Sequence, residues 1–122
     1  MKTVVIADDE PNLRLLVAAT IESDLMTVFE AEDGDEAWAL LQEHRPDLAL
    51  LDIQMPGKTG LELARAIRAE PSLAGTKIIM LTSKAQQADV AAGMEAGADF
   101  YLTKPFSPIE LLGAVEQALG SF

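Results

Sequence analysis

The chain has no cysteine and a single histidine, tryptophan and tyrosine in 122 residues. Without cysteine, disulfides and thiol catalysis are both excluded, which suits a reducing compartment. Basic residues are scarce: nine Lys and Arg stand against twenty Asp and Glu, a formal net charge of −11. That balance disfavours binding of nucleic acid or an anionic membrane surface by this domain. No apolar stretch approaches membrane-spanning length. The opening MKTVVIADDE meets acid after a run too short for the core of a signal peptide. Internal repeats, low-complexity segments and linkers are also missing. The expectation is a soluble, cytoplasmic protein.

What is present fits one compact domain over residues 1–122. The length is ample for a hydrophobic core. A content of 49% hydrophobic and 24% charged residues is ordinary for a globular fold. The lone histidine, His44, falls at an expected helix end, where the C-terminal dipole favours it. A phosphorelay histidine would need a helical bundle around it.

The chain alternates between strand and helix signals. Residues 3–7 form an apolar, largely β-branched run, as a strand covered on both faces requires. Pro11 opens a helix on which Leu13, Leu16, Val17 and Ile21 recur at helical spacing. Residues 27–31 mix polar and apolar side chains, suiting a half-exposed edge strand. Asp33-Gly34 marks a turn before a helix over 36–44, with Ala37, Leu40 and Leu41 inward and Trp38 a partly exposed packing residue. Residues 47–52 are the next strand and 55–60 a loop; the following helix turns Leu63, Ala64 and Ile67 inward. Pro71 and Gly75 close that helix, and 77–81 is a fourth strand. Ser83 and Gln86 have capping-box spacing before a helix that buries Val90 and Met94 and stops near Gly97. Residues 100–102 make a short fifth strand. Ser107-Pro108-Ile109-Glu110 starts a last helix whose inner face is Leu111, Leu112, Val115 and Leu119. Five strands alternating with five helices predict an α/β fold: a doubly wound parallel sheet with helices on both faces.

Four strand-like segments deliver polar residues at their C-terminal ends, where parallel α/β sheets bind ligands. They are Asp8 and Asp9, then Asp52, Thr82 and Lys104. Each alone has a plainer reading. Acids at strand ends are solvated turn formers, Thr82 and Ser83 are helix caps, and Lys104 is a surface lysine. Gathered together, three carboxylates, a hydroxyl and a lysine make a site for a divalent cation and a phosphoryl group. The carboxylates would repel one another unless Lys104 and a hard cation supplied positive charge.

The Asp8-Asp9 pair, the Asp52-Ile53-Gln54-Met55-Pro56-Gly57 segment, Thr82-Ser83 and Lys104-Pro105-Phe106 resemble the receiver domain of two-component response regulators, in order and at family spacing. The resemblance implies a flavodoxin-like sheet of order 2-1-3-4-5. It implies Asp52 as phosphoacceptor, with Asp9 and Asp52 as direct Mg2+ ligands, Asp8 acting mainly through water, and the Gln54 backbone carbonyl completing the set. Lys104 and Thr82 would contact the phosphoryl group, and a cis peptide before Pro105 would aim the lysine into the cleft. Thr82 and Tyr101 would be the switch pair, carrying the signal to the face of the fourth helix, fifth strand and fifth helix. For Tyr101, core or rim packing is the competing assignment. Gln54, Ser83 and Lys84 would rim the cleft.

Three functions are compatible with an aspartate-centred α/β site. A phosphoacceptor switch would be charged by a sensor histidine kinase or a histidine phosphotransfer protein, would catalyse only its own phosphorylation and dephosphorylation, and would act on a downstream protein or an output domain. A haloacid-dehalogenase-type phosphatase wants a second acid two residues after its nucleophile, where Gln54 stands. A flavin-binding electron carrier needs a Ser/Thr/Gly-rich phosphate loop, where Asp8-Asp9-Glu10-Pro11 would repel phosphate. The switch fits best. Ala98-Asp99-Phe100-Tyr101 departs from the Ala-Asp-Asp-Tyr pattern of winged-helix regulators, and the last helix lacks their basic residues, which argues against their symmetric dimer. A free-standing receiver and an excised domain both remain open.

Overall fold

A computed structural model describes residues 2–53, 55–83 and 94–120. The elements are β1 (Lys2–Ala7), α1 (Pro11–Ile21), β2 (Met26–Ala31), α2 (Gly34–His44), β3 (Leu48–Asp52) and α3 (Gly60–Ala69). A 3-10 turn (Pro71–Leu73), β4 (Lys77–Ser83), β5 (Phe100–Lys104) and a C-terminal helix (Pro108–Leu119) follow. All strand pairs are parallel, in the order β2-β1-β3-β4-β5. This is the flavodoxin-like order that the resemblance implied.

Alternation along the strands splits the core in two. Val5, Ala7, Ala49, Leu51, Ile78 and Met80 face α2 and α3, packing on Ala37, Leu41, Leu63, Ala64 and Ile67. Val4, Ile6, Leu48, Leu50, Ile79 and Leu81 face α1 and the C-terminal helix, packing on Val17, Ile21, Leu111 and Val115. Every residue of β3 is buried, which explains why the central strand reads as an unbroken apolar run. Each fully buried Leu or Ile contributes on the order of 1.5–3 kcal/mol, so both helix layers are held firmly.

The structure corrects several boundaries. Asp33 is the N-cap of α2, accepting from the Glu36 amide at 2.8 Å, so the helix begins at Gly34 rather than Glu36. Gly34 is needed there because a Cβ would collide with the Lys58 backbone. β4 runs to Ser83 and β5 to Lys104, two residues beyond expectation in each case, because the two strands pair to their ends. Leu16 and Leu112 are 36% and 37% exposed rather than inward. Each lies about 100° round its helix from the buried stripe, beside Val17 and Leu111 respectively. Among the described residues there are four α-helices. The helix expected after Ser83, with Gln86 and Val90, falls mostly outside them. Of its described end, Met94 is 43% exposed instead of buried, while Gly97 takes a positive φ of 113°. Trp38 is partly buried against the α2–α3 core, as expected.

Candidate functional site

The sheet brings the C-terminal ends of β1, β3, β4 and β5 together, and the site is built on them. Asp8 follows β1 directly and is fully buried. Its amide donates to the Ala31 carbonyl at 3.1 Å, prolonging the β1–β2 ladder by one residue. Asp8 Oδ1 accepts the Glu10 amide at 2.9 Å, and the Arg14 guanidinium donates to the Asp8 carbonyl at 2.6 Å. The chain thus turns sharply into α1, leaving Asp9 and Glu10 exposed. Asp52 closes β3 and is 5% exposed. Behind it Gly60 opens α3, its amide donating to the Ile53 carbonyl at 3.0 Å. A Cβ at Gly60 would run into the Asp52 carbonyl, so this close approach requires glycine.

Lys104 closes β5, in register with Ser83, and the Lys104–Pro105 peptide is cis. Its Nζ lies 2.7 Å from Asp8 Oδ2, 3.3 Å from Asp52 Oδ2 and 3.7 Å from Glu10 Oε1. At 2.7 Å the ammonium partners the buried Asp8 Oδ2 directly as an ion pair. Burial by itself pushes the Lys104 pKa down. The contact with Asp8 and the charges of Asp52 and Asp8 outweigh it, and the net direction is upward from 10.5. The lysine is therefore an ammonium throughout the physiological range.

Thr82 is fully buried and its hydroxyl donates to the Ser83 carbonyl at 3.2 Å. It pairs in register with Thr103, whereas Tyr101 pairs with Met80. Strand alternation therefore puts Thr82 and Tyr101 on one face of the sheet, on adjacent strands and two residues apart in register. The Tyr101 ring is 48% exposed, at the rim rather than in the core. Gln54 and Lys84 lie outside the described residues, so the expected carbonyl ligand and one rim residue have no described position.

Two residues of this arrangement escaped the sequence reading. Glu10 belongs to the acidic cluster: Asp8, Asp9 and Glu10 each offer a carboxylate oxygen, all within 4.8 Å of one another. The Asp8-Asp9-Glu10 run was the available signal. Arg14, one helical turn on from Glu10, had none beyond its spacing. Hard oxygen donors at this separation fit a hard divalent cation such as Mg2+.

Comparison with known proteins agrees with this geometry. Residues 4–116 match the family model of the response regulator receiver domain. The chain belongs to that family. It is 41% identical over 118 residues to the phosphate regulon transcriptional regulatory protein PhoB of Pseudomonas aeruginosa, covering 97% of this chain and 52% of that protein. The chain spans about half the length of the curated relatives it matches. Among solved structures, the Vibrio cholerae chemotaxis response regulator CheY4 superposes with a TM-score of 0.90 at 34% identity, covering 98% of this chain and 99% of that one. The receiver domain of sensor histidine kinase PA1611 from Pseudomonas aeruginosa superposes with a TM-score of 0.87 at 30% identity, covering 98% of each chain. That receiver has a magnesium ion coordinated in its active site cleft. A two-component receiver is thus a signalling module, and the phosphatase and flavodoxin-type alternatives fall away. Among the described residues no helix is long and apolar enough to cross a membrane.

Proposed function

We propose that residues 1–122 form one receiver domain acting as a cytoplasmic phosphoacceptor switch. Asp52 takes a phosphoryl group from a sensor histidine kinase or a histidine phosphotransfer protein, and the changed surface controls a downstream protein or an output domain. The observation that carries this reading is Lys104 Nζ, held between Asp8 and Asp52 at the ends of three separate strands.

In the proposed reaction an Asp52 carboxylate oxygen attacks phosphorus in line. The P–N bond of the phosphohistidine breaks as the P–O bond forms, giving an acyl phosphate and a free imidazole. Lys104, kept charged by its acidic neighbours, sits where the equatorial oxygens gather negative charge. Asp8, Asp9 and Asp52, with the Gln54 carbonyl, would hold magnesium, which when bound supplies further positive charge against those oxygens. Water later cleaves the acyl phosphate, at a rate that Gln54 and Lys84 would tune. Thr82 would donate its hydroxyl to a phosphoryl oxygen and so release its bond to the Ser83 carbonyl.

Incubation with magnesium and acetyl phosphate, followed by intact-mass measurement, should show one added phosphoryl group that hydroxylamine removes. Equal labelling of Asp52→Asn and the parent would refute the assignment.

A further inference from the structure

Glu10 holds the N-cap position of α1, yet its side chain makes no capping hydrogen bond. Ser, Thr, Asp or Asn there would stabilise the helix by about 1 kcal/mol through a side-chain bond to the first turn. The carboxylate is instead turned toward the strand ends, 3.7 Å from Lys104 Nζ. At that distance, on a side chain 65% exposed, the ion pair is worth little. Lys104 is already engaged more closely by Asp8 and Asp52, so it does not explain the placement of a further acid. Three carboxylate oxygens from consecutive residues meet within 4.8 Å, one from the buried Asp8 and two from the exposed Asp9 and Glu10.

We propose that Glu10 is a further residue of the cation site, gripping a bound divalent ion through a water of its coordination sphere. The proposal rests on the receiver reading, since it deepens the site described above. Direct oxygen ligands of an octahedral magnesium stand at ~2.0–2.1 Å from the ion, and such ions retain several waters. Asp9 and Asp52 are the expected direct ligands. Glu10, exposed at the mouth, is suited to accept a hydrogen bond from a retained water. Its amide already ties it to Asp8 Oδ1, so its backbone is held in place before any ion arrives. A unit charge roughly 6 Å from a divalent ion, in a water-like dielectric, changes its affinity on the order of five- to tenfold.

The test is a titration of the full chain with Mn2+, reading free ion by electron paramagnetic resonance. Parent, Glu10→Gln, Asp9→Ala and Glu22→Gln would be compared, the last removing an equal charge at the far end of α1. Glu10→Gln should bind about five- to tenfold more weakly and Asp9→Ala more weakly still, with Glu22→Gln matching the parent. The Glu10→Gln deficit should shrink as potassium chloride is raised, because an interaction through water is screened. A deficit unchanged by salt overturns the water-mediated placement. Glu10→Gln equal to the parent, with Asp9→Ala impaired, overturns the role of Glu10 but leaves the receiver site standing. Both variants equal to the parent would overturn the site itself. The glutamine is isosteric and the amide bond to Asp8 is backbone, so melting in EDTA should be unchanged or higher.

Discussion

Removing the charge of Lys104 while keeping its length, as in Lys104→Met, isolates the electrostatics of the site. Asp8 and Asp52 are 0% and 5% exposed, and their Oδ2 atoms lie 2.7 and 3.3 Å from the same nitrogen. Two such oxygens are no more than roughly 6 Å apart, and at an effective dielectric of about 20 their repulsion is about 3 kcal/mol. Breaking a buried pair by deleting one partner typically costs ~3–5 kcal/mol. The Lys104 side chain retains 16% exposure, so water recovers part of that. The expected loss is about 2–4 kcal/mol, a fall in melting temperature of roughly 5–15 °C for a chain of this size.

The pH dependence supplies a second check. The Lys104 pKa is raised in the folded state above its ordinary 10.5, the Asp8 contact and the Asp52 charge outweighing burial. A raised folded value means that the stabilisation is fully present below the unfolded pKa and is lost as pH climbs through the folded one. Urea unfolding in EDTA should therefore show a constant gap between parent and variant from pH 7 to about 10, closing only above that. Equal midpoints at pH 7.5 would refute the argument, as would a gap that already narrows between pH 7 and 9.

Two further outcomes follow from named contacts. Gly60→Ala sets a methyl group against the Asp52 carbonyl, so α3 must move off the end of β3. It should cost about 1–3 kcal/mol in urea unfolding and slow uptake of phosphate from acetyl phosphate, whereas Gly113→Ala, with nothing near its Cβ, should be stabilising by about 0.5–1 kcal/mol. Thr82→Ala should still take up phosphate at Asp52 but show smaller beryllofluoride-induced NMR shifts at Tyr101 and Leu111; equal shifts at matched occupancy would mean that the signal leaves by another route.

The fold was legible because the strands are covered on both faces. Residues 48–52 are all buried, and only such a strand reads as an uninterrupted apolar run. The carboxylates, threonine and lysine were legible because a parallel sheet presents its strand ends at one edge. Errors arose where local pattern lacks the deciding information. Leu16 and Leu112 satisfy helical spacing, but the width of the buried stripe depends on how closely α1 and the C-terminal helix approach each other. The start of α2 was misplaced because Gly34 reads as a turn residue until the Lys58 backbone is found against it. Glu10 read as one acid among many. Its missing capping bond and its approach to Lys104 are tertiary facts that no spacing encodes.

The same electrostatics bear on how such a site could act as a switch. Among the described residues, Asp8, Glu10 and Asp52 each bring a carboxylate oxygen within 3.7 Å of the Lys104 ammonium, and Asp9 adds a further acid beside Asp8 and Glu10. Clustered carboxylates of this kind would respond strongly to whatever supplies positive charge, because relief of repulsion adds to direct coordination. Phosphorylation of Asp52 would then change the local charge where the fully buried Thr82 ends the adjoining strand. Tyr101, on the same sheet face and half exposed, would in the proposed switch link that buried point to the surface. Only ligands that distinguish two arrangements of this pair can shift the balance between them. In the proposed switch, the clustered acids inside the site and the exposed ring outside it would be the two ends of one device. Weakening the first by Asp9→Ala, or the coupling between them by Thr82→Ala, should uncouple occupancy of Asp52 from the surface at Tyr101 in distinguishable ways: the former through cation affinity, the latter with cation affinity intact.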